Sequence, residues 1–379
     1  MYSQEDLNSA VAAGAISADA AQALRAHVAA SRDAVPADAE HFRLLTGFND
    51  IFVSIGVVIL LMAVGAIGIS ISETNSPGNA FEAAFMPLFP AALVAGTAWM
   101  LAEFFTRKRR MALPSIILLL AFVFAALVAI GALVFIPFAL IFGPAGFEDE
   151  AMNAWKPNDT TVAILASVMT LITGALTAAA AWMHWRRFMV PITVAAGTAA
   201  LVGMVIAAIQ STRMIVNDGD VAGGALPIVF VAGLAVFAFA MWWDMSDTRR
   251  ETRRSDVAFW LHLLAAPLIA HPIFAMIGVI DGDNIGVGAA LGVLAVYVAF
   301  GVVALAVDRR ALLVSALAYV LFALTFLFRE FGAVELSFAL TALVIGSALL
   351  TLSALWTPIR RAVVDRLPGD MQVRLPTTA

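Results

Sequence analysis

The chain has no cysteine among its 379 residues. That absence removes disulfides, thiolate metal sites and cysteine nucleophiles together. It leaves the compartment open, because a cysteine-free chain suits either side of a membrane. Lysine is nearly missing too, with only Lys108 and Lys156. Set beside the abundant alanine, this matches the codon bias of a GC-rich bacterial genome and carries no functional weight. Charge is scarce overall: 13% of residues are charged and 62% hydrophobic, with a mean hydropathy of +0.94. A soluble domain is about 25% charged and about 45–50% apolar. No HExxH, GxSxG or glycine-rich phosphate loop occurs, so the common hydrolase, metalloprotease and nucleotide-binding signatures are absent. No catalytic residue, metal set or cofactor is expected. No basic recognition surface points to nucleic acid.

What is present is long apolar sequence. A bilayer core of roughly 30 Å needs about 20 apolar residues per helix. Ten such runs can be read, near 51–72, 83–104, 112–135, 161–183, 188–209, 224–243, 258–280, 285–306, 310–328 and 334–356. The expected fold is therefore all-α, a polytopic bundle of about ten transmembrane helices in direct contact with the lipid bilayer. The third run stays apolar to about Phe142, too long for one straight crossing. Pro137 and Pro144 predict a break there, with an interfacial continuation.

Residues 1–50 are more polar. No basic segment precedes a short apolar core, so no cleavable signal is expected. "SQEDLNSAVAAGAISADAAQALRAHVAAS" reads as a helical hairpin, with Ser3 and Asp6 as a capping pair, Gly14 ending the first helix, and Ser17 capping the second. It is too small to hold a core of its own. "VPADAEH" reads as a linker. The expected organisation is a cytosolic hairpin and linker over 1–50, a membrane domain over 51–356 and a cytoplasmic tail over 357–379. The stretch "LNSAVAAGAISADAAQAL", followed by Ala/Leu/Val-rich spans with Arg-Arg turns, resembles a family of bacterial multi-pass inner-membrane proteins known as a domain of unknown function. "FWLHLLAAPLIAHPIF" is similar to a segment of proteobacterial membrane proteins of that kind. The resemblance implies a small cytosolic hairpin ahead of a hairpin array, and no site residues.

Orientation follows from the positive-inside rule. All but three of the 22 basic residues fall in one set of loops or in the two terminal segments. The opposite loops hold only Lys156, Arg213 and Arg329. Both termini are then expected in the cytoplasm of a bacterial inner membrane, which requires an even number of spans. Arginine pairs recur in "TRKRRMALPSIILLL", "HWRRFMVPITVAA" and "DRRALLVSALAYV". They read either as an array of similar hairpins or as charge placed only to fix topology. Such inner arginines also offer contacts to anionic lipid head groups.

No acidic residue, arginine or lysine falls near the centre of a run. Intramembrane carboxylates mark proton relays and ion paths, so their absence argues against a proton-coupled pump or cation exchanger. One ionisable group is expected at mid-depth: His271, in "LLAAPLIAHPIFAMIGVI". Pro267 and Pro272 flank it and should free the carbonyls of Leu263 and Leu268. A broken helix survives in lipid only where protein or a cavity covers it, so this segment should face the bundle interior. Two readings follow. His271, Pro272 and Pro267 form a binding site, with Pro87 and Pro90 of "MPLFP" opposite. Otherwise, the helix is merely kinked and the imidazole bonds a freed carbonyl, serine or threonine. His262, beside Trp260, reads as interfacial. Asp50 reads as a cap on the first helix dipole.

Two functions are open from these features. One is transport or handling of a neutral or amphiphilic solute or lipid. The other is a non-transporting scaffold or sensor that recruits a protein partner through residues 1–40.

Overall fold

The computed structural model describes residues 9–24, 48–74, 80–146, 160–216, 224–248, 250, 252–278 and 286–376. Residues 9–24 belong to a small unit separate from the helical bundle. Within it, residues 9–12 and 18–24 are helical. Gly14 takes the left-handed conformation (φ +70°) that glycine adopts without strain. Ser17 caps the second helix, its Oγ accepting from the Ala20 N–H at 3.1 Å. The Ser3–Asp6 pair and the linker lie outside the described residues, as does the acidic loop 147–159.

The bundle is all helix. Among the described residues, ten helices are long and apolar enough to cross a membrane, and the chain is a multi-pass integral membrane protein. They are α1 (Phe48–Thr74), α2 (Ala80–Ala102, prolonged by a π-helical turn Glu103–Lys108), α3 (Ala112–Gly146), α4 (Thr160–Phe188), α5 (Ile192–Val216), α6 (Ala225–Met245), α7 (Arg253–Met276), α8 (Val287–Val307), α9 (Ala311–Glu330) and α10 (Ser337–Ala354). Two short helices follow, α11 (Trp356–Val364) and α12 (Gly369–Gln372). Outward-facing side chains are large and apolar, such as Phe52, Ile59, Met62, Phe124, Val298 and Leu350. In water such a surface would aggregate; against acyl chains it is at rest.

One expectation fails at α3. The helix continues through Pro137 and Pro144 for 35 residues, about 50 Å at 1.5 Å per residue, so there is no break and α3 outreaches the hydrocarbon core.

Packing is organised in hairpins: α2 with α3, α4 with α5, α6 with α7 and α8 with α9. Helix α1 lies on α2 and α3, and α10 on α9. Two apolar cores result. One joins α1–α3 to the turn end of the α4–α5 hairpin through Leu61, Leu118, Phe122 and Phe188. The other joins α6–α9 through Val236, Leu261, Phe274 and Val320. Trp260 packs against both.

Close approach in the hairpins rests on glycine. A Cβ on Gly68 of α1 would lie 2.6 Å from the Cα of Pro90 in α2. A Cβ on Gly233 of α6 would lie 2.8 Å from the carbonyl carbon of Leu268 in α7. That second contact covers the turn where Pro272 removes a backbone donor, so protein lies over the loosened backbone rather than lipid. Helix α7 is the most enclosed of the ten, with 56% of its most apolar stretch buried.

The turns of these four hairpins lie at one end, and each contains a non-glycine residue with left-handed backbone: Arg110, Met189, Arg250 and Asp308, with φ of 53–58°. Contacts run from turn to turn. Arg187 pairs with Glu103 at 2.6 Å, Arg253 donates to the Met189 carbonyl at 3.4 Å, and Arg250 pairs with Asp308 at 2.8 Å. This arginine end is a single linked layer.

Candidate functional site

The arginine end holds a buried ionic cluster. Asp244, at the last turn of α6, is 1% exposed, His262 of α7 is 1% exposed and Arg309, in the α8–α9 turn, is 3% exposed. Arg309 grips the carboxylate with two donors, Nη2 to Oδ1 at 2.6 Å and Nε to Oδ2 at 3.2 Å. Its Nη2 also reaches the Ser255 carbonyl at 3.0 Å. His262 Nε2 lies 2.8 Å from Asp244 Oδ2. An ionised carboxylate only accepts, so Nε2 carries the proton and donates. Next to this triad, the Asp308 carboxylate accepts from Arg250 Nη1 at 2.8 Å and from Trp356 Nε1 at 2.7 Å. Arg360 Nε stands 3.5 Å from it, and Arg360 Nη2 donates to the Pro376 carbonyl at 2.6 Å. Burial pulls the Arg250 pKa downward; the positive charge of Arg309 adds to this and Asp308 opposes it.

This cluster is structural in character. Every charge in it has an opposite neighbour, the groups are sealed, and paired ions of this kind lock geometry. His262, read as interfacial beside Trp260, is buried and faces into the bundle. Its imidazole turns inward because Asp244 and Arg309 supply a polar niche there. Among the described residues, no group of three or more histidines and carboxylates is placed to hold a metal ion.

A different place is open. A cleft of about 400 Å³ lies between α4, α5 and α6, lined by Trp182, Trp185, Gly197, Leu201, Phe239 and Trp243 among others. No charged side chain lines it. Two of its polar atoms lack any hydrogen-bond partner: Trp243 Nε1 and Thr193 Oγ1, the latter on a residue 1% exposed. Buried indole N–H and hydroxyl groups nearly always find partners. Both lie near the arginine end, Thr193 at the start of α5 and Trp243 in the last turn of α6. From there the apolar lining runs along α5 from Thr193 to Val202, about 13 Å at 1.5 Å per residue. That is close to one leaflet, half of a roughly 30 Å core. The cleft thus has two polar contacts at its arginine end, with an apolar slot leading toward mid-bilayer.

The residues singled out from sequence are placed elsewhere. Pro267 and Pro272 lie within a continuous α7. Pro272 is buried, while Pro267 and His271 are on the exposed face. His271 Nδ1 shares a hydrogen bond with Tyr319 Oη of α9 at 2.7 Å, and Phe274 stacks on the same tyrosine with ring centroids 4.4 Å apart. The partner is thus a tyrosine, where a carbonyl, serine or threonine was expected. Pro87 and Pro90 lie within α2. Helices α2 and α7 belong to different cores and share no substantial interface, so the two proline pairs are not brought together. Sequence reading missed Thr193, Trp243 and the triad. The cleft left no local signal, since its lining comes from three helices. A second buried histidine was also missed: His184, 0% exposed, boxed by Trp99, Phe122 and Phe188.

No protein-family model, curated protein or solved structure matches this chain.

Proposed function

We propose that the protein holds an uncharged-headed amphiphile in the α4–α6 cleft, as a lipid-handling protein of the bacterial inner membrane. The observation that carries this reading is the pairing of two orphan polar atoms, Trp243 Nε1 and Thr193 Oγ1, with an apolar slot one leaflet long. An ester carbonyl or hydroxyl would satisfy the indole N–H and the threonine hydroxyl, and an acyl tail would fill the slot past Leu201. The absence of charge from the lining favours a neutral head group, because an ionic one would be desolvated without a partner. The arginine end is read as the cytoplasmic face, with both termini inside, supported by the positive-inside bias. The occupant then comes from the inner leaflet. The likeness to bacterial multi-pass inner-membrane proteins fits this placement and adds no substrate.

The test uses the full chain in phosphatidylcholine vesicles with a photoactivatable acyl ester. Cross-links are expected on α4–α6 peptides. Leu201→Trp, which fills the slot from an exposed position (Leu201 is 44% exposed), should abolish most of them without lowering the melting temperature. Trp243→Phe, which keeps the ring and deletes the donor, should weaken capture several-fold, about the worth of one hydrogen bond near 1 kcal/mol. Labelling spread evenly over all lipid-facing helices, and indifferent to both substitutions, would overturn the proposal.

A further inference from the structure

His271 stands on the exposed face of α7, although α7 is the most enclosed of the spanning helices. Tyr319 of the neighbouring α9 is its one hydrogen-bond partner among the described residues, with Nδ1 and Oη 2.7 Å apart. The second ring nitrogen, Nε2, therefore has none. The pair is deep. Tyr319 lies about 12 Å from the start of α9 and about 17 Å from its end, at 1.5 Å per residue. Phospholipid head groups lie outside a hydrocarbon core of roughly 30 Å, so they do not reach the pair, and acyl chains offer it no hydrogen bond. Ionisable side chains at such depth almost always face protein or a cavity. The residues beside the pair are small: Ala275 follows His271 by one turn, and the exposed Ala318 precedes Tyr319.

We infer that this face of α7 and α9 is where two copies of the chain meet, as a two-fold dimer within the membrane. Hydrogen-bond complementarity selects the second copy. When Tyr319 donates to Nδ1, Nε2 carries a proton and the phenolic oxygen keeps a lone pair. When Nδ1 donates instead, Nε2 is an acceptor and the phenol has its proton to give. In either tautomer the pair has one donor and one acceptor to spare, so it is complementary to itself. Two copies inserted the same way round are related by an axis along the membrane normal, and the contact between them is isologous. His271 and Tyr319 of one copy then meet Tyr319 and His271 of the other at the same depth, and two hydrogen bonds close the ring. Polar side chains join spanning helices in this way, with small residues letting the backbones approach. The contact shares no residue with the α4–α6 cleft, so ligand capture there and association here stand or fall separately.

The experiment exploits the lack of cysteine in the chain. Each single-cysteine variant of the full chain, in phosphatidylcholine vesicles, reports one position. With copper phenanthroline as oxidant, Ala275→Cys and Ala318→Cys should form disulfide-linked dimers several-fold faster than Phe124→Cys, an exposed position of α3. Dissociation is read by energy transfer between chains labelled at Val373→Cys on the exposed tail. His271→Leu should raise the dissociation constant about tenfold, since symmetry removes two interhelical hydrogen bonds at once. Tyr319→Phe, which keeps the stack on Phe274, should raise it by a similar factor. Melting of each variant excludes misfolding. If His271→Leu does not fold, Tyr319→Phe decides the matter alone. Cross-linking of both face positions at the Phe124→Cys rate, or a dissociation constant unmoved by either substitution, would overturn the inference. So would a chain that stays monomeric and retains a hydroxyl- or carbonyl-bearing lipid that His271→Leu loses, which hands the pair to a small occupant.

Discussion

Asp244 shows how misleading loop charges are when read one at a time. In the sequence it is one more acid after "WW", at the end of a span. In the structure it is the hub that fixes His262 and Arg309, residues 18 and 65 positions away. Pairing over such separations cannot be read from one sequence, because nothing local records which charge meets which. What was legible is that these charges sit at span ends and not at span centres. Asp308, Arg309 and Arg310 are consecutive and could only be read as a basic turn. Folded, they hold three different positions: a left-handed corner, a buried clamp and a stack on Trp356. The cluster gives a sharp stability prediction. Asp244→Asn removes the carboxylate that Arg309 grips with two donors, and removing one partner of a buried pair costs about 3–5 kcal/mol. The double replacement Asp244→Leu with Arg309→Met removes both charges and should recover most of that loss. Unfolding in a single detergent, run as a double-mutant cycle, measures both.

At the level of helices, the ten apolar runs correspond one to one with the ten spanning helices, because length and hydropathy fix a transmembrane segment almost alone. Proline was the poorer guide. It predicted a break in α3, which runs through, and left α7 open between a broken and a kinked helix, of which the continuous α7 removes the first. Tertiary cover explains α7: Gly233 lets α6 close over the turn that Pro272 weakens. Sequence could not reveal this, since Gly233 lies some 40 residues before Pro272 and resembles any small residue in an apolar run. Its size is therefore the thing to test. Gly233→Ala puts a Cβ against the Leu268 backbone and should cost about 1–3 kcal/mol, the usual range for overpacking. Gly56→Ala on α1, where a new Cβ meets nothing within 4 Å, should leave stability unchanged or slightly raise it, as glycine is the weaker helix former. Thermal melting of the two variants side by side checks the contrast.

Across the whole molecule, the sequence revealed the class and the number of spans, and its charge bias proposes an orientation. A reporter that matures only in the cytoplasm should be active when fused after Ala379, and also when inserted near Arg186. It should be silent when inserted in the loop around Asp218. Activity at all three places, or only at the last, reverses the assignment. The candidate site was hidden for the converse reason. Its lining is ordinary bundle sequence, and only the three-dimensional gap between α4–α5 and α6 makes two polar atoms conspicuous. The chain of contacts across the arginine end also imposes an order in time. A ribosome delivers α1 to α5 first, and their core lacks only Trp260 of α7 when they are in place. Asp244 emerges before its guanidinium partner, and Asp308 before its indole. These two contacts close only after 65 and 48 further residues have been synthesised. Trp356, Arg360 and Pro376 are the last of the cluster to emerge, so the ionic layer is completed from its carboxyl-terminal side.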